Sequence, residues 1–464
     1  MKWTGEAIAA ATGGRLHGSN GAAGPILTDT RKDLAGSWFL ALAGERFDAH
    51  TFGAQAAAAG AVGAVFAHPV EGWTGPWVEV ADTTRALQDL GRAARARITA
   101  PVVGLTGSAG KTTTRGLIAT ALGQLGPVHQ TVGNLNNHLG VPMTLLATPD
   151  DAAAVVLEMG TSGHGEIAVL ADIGTPDARL VVNIGHAHLE ELGGLAGVAR
   201  EKGALFETAR PQDVVAVNLD DPWLHDMASP GRRVTWGRDA AADIRLLEAK
   251  VDPATFSTLG RYQTPQGEMT VTLSVPGLHL VHNAAGALAV AYGLGLDLER
   301  AAADMGGYQP VGMRMRREGL PGGVVAINDA YNANPTSMKA SLELLASFPG
   351  RRVAVLGDML ELGRDEAAFH AEIVALAQGL GLDLIVGTGP RMLAAAPDSS
   401  SPPGGWFALD AVELVPRLAA WLLPGDVVLF KGSRGARVER VLEALQSALA
   451  QRHDDPAAAR PEAR

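Results

Sequence analysis

Not one of the 464 residues is cysteine. That single absence excludes a disulfide scaffold, a thiolate zinc site and a cysteine nucleophile, and it fits a reducing compartment. Long apolar runs are missing too. The most apolar stretch, residues 54 to 68, is mainly alanine and glycine, too short and too weakly hydrophobic to span a bilayer. The opening residues, MKWTGEAIAAATGG, carry Glu6 early and have no continuous apolar core, so no secretory signal is read there. Positive charge is in deficit: 38 Lys and Arg face 49 Asp and Glu, a formal net charge of −11. Such a chain is unsuited to non-specific nucleic-acid binding, and any polyanionic substrate must be held by local positive charge. No internal repeat is found. With 47% hydrophobic and 19% charged residues, the composition is that of a soluble globular protein, expected in the cytoplasm.

What is present is length and alternation. A chain this long exceeds one ordinary core and suggests roughly two to four domains. Residues 1 to 98 mix short strands, such as the run around Trp38 to Ala43, with alanine-rich helices. From residue 99 to 312, apolar runs alternate with helical stretches: VVGL, AVVLEM, RLVVNI, DVVAVN. That alternation predicts a parallel sheet flanked by helices. Within it, residues 243 to 275 switch to period two, as in MTVTLSV, which predicts an antiparallel pair on one edge. Residues 313 to 450 begin a second alternation through VVAIND, RRVAVLGD, DLIVGTG and DVVLFKG. The expected class is α/β with three domains, a central phosphate-loop parallel-sheet domain and a Rossmann-like C-terminal one. Residues 451 to 464 lose apolar periodicity and read as a frayed tail.

The sharpest local signal is TGSAGKTTT at residues 106 to 114, after the strand VVGL and before a helical run. Gly107 and Gly110 let the backbone N–H groups of Ser108 and Ala109 turn inward, where a side chain would collide with phosphate oxygens. Lys111 would reach the β- and γ-phosphates, and the hydroxyl of Thr112 or Thr113 would complete a magnesium shell. Only two residues separate Gly107 from the Gly110-Lys111 pair, fewer than in the general phosphate loop. An ATP site follows from this; a reaction does not.

Glu158 ends the strand AVVLEM, and His188 lies just past RLVVNI. Both belong at the carboxyl edge of the sheet, where ligands of open α/β sheets gather, and could hold magnesium. Each also has an ordinary reading, as a loop cap and as a surface histidine. Lys202 read alone is an exposed helical lysine.

Taken in order, these motifs resemble the Mur ligase family, and within it the member that adds D-alanyl-D-alanine to UDP-N-acetylmuramoyl-tripeptide. The resemblance runs from about residue 26 to about 445. TDTRK (28 to 32) with ALAGERFDAHTF (41 to 52) is similar to the family's UDP-sugar site, implying Asp29, Thr30, Arg31, Lys32, Arg46 and His50 as contacts. GNLNNHLGVPMTLL (133 to 146) and NIGHAHLEELGGLAGVAREKGALF (183 to 206) resemble its central substrate and metal motifs, implying Asn134, Asn136 and Asn137 for substrate. DAYNANPTSM, GDMLELG and FKGSRG resemble the C-terminal motifs of the dipeptide-adding member.

By that resemblance Thr112, Glu158, His188 and a carbamylated Lys202 would hold two magnesium ions. His282 and Asn283 would lie against adenine, Arg314 would close over ATP, and Asp329, Tyr331, Asn332 and Asn334 would line the nucleotide. Lys431, Ser433 and Arg434 would face the incoming dipeptide. The protein would act as a monomer through an acyl phosphate. Three departures stand out: Ser162 and Gly163 where the family often has Asn-His, His138 at a position that is often acidic, and Met313 where the arginine motif usually has glycine. Two other readings stay open here, another ligase of the family and a phosphate-loop NTPase that is not a ligase.

Overall fold

Four predominantly apolar runs, Val102–Thr106, Ala154–Glu158, Ala178–Val181 and Val214–Asn218, are buried at every position. A strand can be apolar throughout only when helices cover both faces, the condition of a parallel sheet. The computed structural model describes residues 1–44, 47–396 and 405–454. Among these, the four runs lie side by side in a nine-stranded sheet, with Val102–Thr106 between Ala154–Glu158 and Ala178–Val181. The parallel part ends at Ile244–Asp252, which pairs in parallel with Arg232–Gly237. Beyond it Ser257–Thr264 and Gly267–Leu273 add antiparallel. The antiparallel edge thus has three strands, one more than the period-two texture suggested. Its burial alternates residue by residue in Ser257–Thr264, because only one face is covered.

The first unit is a five-stranded sheet, parallel except for Arg15–His17, which runs antiparallel to Trp77–Glu79. Its helix Thr83–Arg97, capped by Asp82, docks on the central unit. Arg95 reaches Asp177 at 2.8 Å, and a methyl on Gly91 would come within 2.6 Å of Pro142.

The third unit is a six-stranded sheet, parallel except for its edge strand Arg316–Leu320. Its strands Val324–Asp329 and Val427–Lys431 are neighbours in register, with Asp329 opposite Lys431. The final helix, Glu439–Asp454, runs four residues into the segment expected to be frayed. No helix of the described residues is long and apolar enough to cross a membrane.

One buried ion pair ties the central sheet together. Arg179 and Asp213 are both about 1% exposed and paired, with Arg179 also donating to Thr208 O at 3.0 Å. Burial pulls the Arg179 guanidinium below its usual range, with Asp213 opposing that shift. Asp213→Ala would strand a buried guanidinium, and the expected loss is about 3–5 kcal/mol of stability in chemical denaturation. Replacing both partners by apolar residues, Arg179→Met with Asp213→Leu, should recover most of that loss.

Candidate active site

The chain turns sharply after Val102–Thr106. Gly110 adopts a left-handed backbone (φ 77°) and leads directly into the helix Lys111–Leu122. A side chain there is doubly excluded, because a Cβ would also come within 2.8 Å of Asn283 Nδ2. The loop is pinned from the neighbouring strand: Ala109 N donates to Asn183 Oδ1 at 2.9 Å, and Ser108 Oγ donates to Gly185 O at 3.1 Å. Backbone N–H groups and a helix N-terminus converge here, a built anion site. Lys111 Nζ donates to Gly107 O at 2.7 Å, so the ammonium already folds over the loop. Burial pulls its pKa below the usual lysine range, Glu158 opposes that shift and Arg314 adds to it.

Glu158 ends the adjacent strand and is 3% exposed. Thr112 Oγ1 donates to its Oε2 at 3.0 Å, and Asn136 Nδ2 donates to Oε1 at 3.0 Å. Arg115 donates to Oε2 at 3.0 Å as well. A hydroxyl and a carboxylate oxygen in contact are the hard donors a divalent cation such as magnesium prefers. The residues therefore fit such an ion, with Arg115 sharing the carboxylate.

These residues open into a cavity of about 370 Å³ between the central and third units. Ser108, Ala109, Gly110, Lys111, Thr112, Thr113, Asn134, Asn136, Glu158 and Asn283 line it from one side. Arg314, Asp329, Tyr331, Asn332, Asn334 and Lys431 line it from the other. The Arg314 guanidinium lies 3.5 Å over the Tyr331 ring. Lys431 Nζ donates to Asp329 Oδ2, which also accepts from Ser341 Oγ at 2.9 Å. Asn334 caps the helix Pro335–Ala346 through a reciprocal capping box with Ser337.

Several expected residues stand elsewhere. His282 bonds Asp220 at 2.8 Å and packs by Trp236, leaving Asn283 alone of that pair on the cavity. Asn137 caps the helix Gly140–Leu146 by accepting from Gly140 N at 2.9 Å. Ser433 is 3% exposed and spends its hydroxyl inside the fold, donating to Ala333 O and accepting from Leu360 N. Arg434 points outward and pairs with Glu439 at 2.7 Å.

Lys202, far from being an exposed helical lysine, is 1% exposed on the helix Leu195–Glu207. Burial, reinforced by the charge of Lys111, brings its pKa down to about 7. Its neighbour Glu201 is occupied elsewhere, accepting from Gly165 N at 2.6 Å and Ile167 N at 2.8 Å. His188 opens the helix Leu189–Leu192, with Nδ1 3.2 Å from Glu361 Oε2. Burial lowers its pKa, Glu361 opposes that shift, and the charges of Lys202 and Lys111 add to it.

In the first unit, Arg31 grips Asp29 with two donors at 2.9 and 2.8 Å, holding that carboxyl at about 2. Thr30 and Lys32 share this loop, which touches the central unit where Thr28 Oγ1 meets Met143 Sδ at 3.9 Å. Arg46 lies outside the described residues. His50 is buried, with Nδ1 2.6 Å from Asp48 and Nε2 accepting from Ala67 N at 2.9 Å. Asp48, His50 and His68 are the one group of three His, Asp or Glu side chains among the described residues close enough together to share an ion. The bond from Ala67 N fixes the His50 proton on Nδ1, so neither ring nitrogen has a lone pair to offer.

Models of the Mur ligase middle domain and of the Mur ligase, glutamate ligase domain match residues 105–291 and 313–434. The chain is 37% identical to UDP-N-acetylmuramoyl-tripeptide--D-alanyl-D-alanine ligase of Escherichia coli over 437 residues, covering 93% of this chain and 96% of that one. The chain belongs to the Mur ligase family. Its likeness to the Bacillus subtilis protein of the same name is 36%, over 90% of this chain and 92% of that one. Among solved Mur ligases, MurF from Acinetobacter baumannii superposes with a TM-score of 0.89 at 34% identity, covering 96% and 99% of the two chains. MurF ligase from Thermotoga maritima, solved in complex with ADP, gives 0.84 at 28% identity, covering 92% and 98%.

Among the cavity residues of this Mur ligase that its sequence did not single out are two with polar side chains that could meet a ligand, Asn183 and His279. Asn183 follows a buried strand at the carboxyl edge of the sheet, and that position was the available signal. His279, on the first turn of the helix Leu278–Gly293, carried none. Burial brings its pKa to about 4, with Asp329 opposing, so at neutral pH it faces the cavity uncharged.

Proposed function

We propose that this chain is an ATP-dependent ligase that joins D-alanyl-D-alanine to UDP-N-acetylmuramoyl-tripeptide, a step of peptidoglycan precursor synthesis in the cytoplasm. The observation that carries this reading is similarity along nearly the whole chain to proteins named for that reaction, on a chain with a phosphate loop facing a second unit.

ATP would lie in the cavity, its phosphates on the N–H groups of residues 107 to 113 and its adenosine against Asn283, Asp329 and Asn332. Lys111 would exchange its bond to Gly107 for the β- and γ-phosphates. The loop holding Asp29 to Lys32, with Arg46 and His50, would orient the UDP-sugar and direct the peptide toward Asn134 and Asn136, with Asn137 holding the helix start beside them. The terminal carboxylate attacks the γ-phosphorus, ADP leaves, and the charge that develops falls on Lys111 and Arg314. The dipeptide amine then attacks the acyl carbon and phosphate leaves, so no covalent bond to the protein forms. Lys431 and Arg434 are assigned to the dipeptide, Arg434 as the exposed member able to turn toward a carboxylate, while Ser433, bonded to Ala333 O and Leu360 N, would hold the loop that carries Arg434. Thr112, Glu158, His188 and a carbamylated Lys202 are the residues that would hold magnesium, which supplies positive charge to phosphate oxygens when bound. Shielding the acyl phosphate from water falls to the docked third unit.

Phosphate release tests the whole reading. With ATP alone, or with either co-substrate alone, release should stay near background, and all three together should raise it sharply. Rapid ATP hydrolysis independent of both acceptors would instead mark an NTPase.

A further inference from the structure

Three side chains hold the Glu158 carboxylate, and one of them stands outside the cavity that the other two line. Thr112 and Asn136 face the cavity together with Glu158. Arg115 does not, and it is 3% exposed. It lies three residues past Thr112 on the helix Lys111–Leu122, the spacing that sends both side chains to the same oxygen. Its Nη1 donates to Glu158 Oε2 at 3.0 Å, and its Nε donates to Gln130 Oε1 at 3.1 Å. Gln130 and Glu158 end neighbouring parallel strands, so the guanidinium is clamped between a helix and two strand ends. Among the described residues, no other cation lies within ion-pair distance of Glu158, and no other carboxylate within that distance of Arg115.

Burial pulls the Arg115 guanidinium below its usual range and Glu158 opposes that shift, but arginine stays protonated in proteins. A fixed positive charge therefore cancels that of Glu158 before any ligand arrives. The Thr112 and Glu158 oxygens suit a divalent cation, yet the guanidinium beside them repels one. Nucleotide phosphates on the loop would add several negative charges and reverse that balance. We propose that Arg115 masks Glu158 against free divalent cations, so that the carboxylate holds one only together with nucleotide phosphates. Arg115 is thus a positioning residue that sets the order of loading. The proposal rests on the reading of Glu158 as a metal donor.

The test uses the full chain and manganese, whose free ion is counted by its paramagnetic resonance signal; circular dichroism checks the fold of each variant. Without nucleotide, the wild type and Glu158→Gln should bind manganese equally weakly, because the carboxylate is already masked. Arg115→Gln, which keeps an amide donor and loses the charge, should bind manganese about tenfold more tightly. That is the effect of one unit charge on a divalent ion at roughly 6 Å, even in the dielectric of water. Adding Glu158→Gln to that variant should abolish the gain, and Arg115→Lys should stay near the wild type. A merely structural role would raise none of these affinities. A loss of manganese binding on Glu158→Gln alone, without nucleotide, would overturn the proposal whether or not the Arg115 variants fold. So would a folded Arg115→Gln protein of unchanged affinity. The donor reading is checked separately, by the gain in affinity that manganese gives a non-hydrolysable ATP analogue. Glu158→Gln should erase most of that gain, and an undiminished gain would remove Glu158 from the metal site itself.

Discussion

Lys202→Ala should fold and lose nearly all ligase activity, with part of that activity restored by added short carboxylic acids. The expectation starts from burial. Lys202 is 1% exposed, and no carboxylate of the described residues lies within ion-pair distance of it. An unpaired buried ammonium is costly, so the group shifts toward its neutral form, here at about 7. A neutral amine attacks carbon dioxide: the C–N bond forms, a proton leaves, and a carbamate anion remains. That change also turns the repulsion between Lys202 and Lys111 into attraction. The neutral fraction grows as pH rises through about 7, so a carbamate carbon signal from labelled bicarbonate should strengthen between pH 6 and 8 and vanish in acid. Lys202→Ala should lack the signal. Lys202→Met, which keeps the buried stem, separates packing from chemistry: it should be as inactive as the alanine variant. A fully active Lys202→Met enzyme would show that the lysine only fills space.

Lys111→Ala is expected to lower turnover by roughly two orders of magnitude or more, the scale of losing one preorganised electrostatic stabiliser, about 2.7 kcal/mol. Lys111 is the only cation in the phosphate loop, and its ammonium already sits over the Gly107 carbonyl. Removing it should leave the fold intact, since the loop is held independently by Asn183 and Ser108. Steady-state phosphate release on a variant with an unchanged melting profile reads the effect. Near-normal ligation would end the assignment of this loop to ATP.

The sequence by itself determined the parts whose cause is local. Apolar runs such as AVVLE can only be covered strands, and TGSAGKTTT between a strand and a helix can only turn as Gly110 allows. The ends of those strands put Glu158 and the loop on one edge, because neighbouring parallel strands end together. What the tertiary structure decided depends on packing between distant segments. Lys202 is buried although its helix reads as polar around it, since Glu201 turns away to cap Glu166–Gly174. Ser433, two residues beyond Lys431, bonds inside the fold while Lys431 reaches the cavity, because the strand ends at Lys431 and the loop beyond follows its own bonds. The meeting of Glu361 with His188 is written in neither motif. It exists only because two separately folded units dock, and side-chain contacts across such an interface have no period along the chain from which to be read.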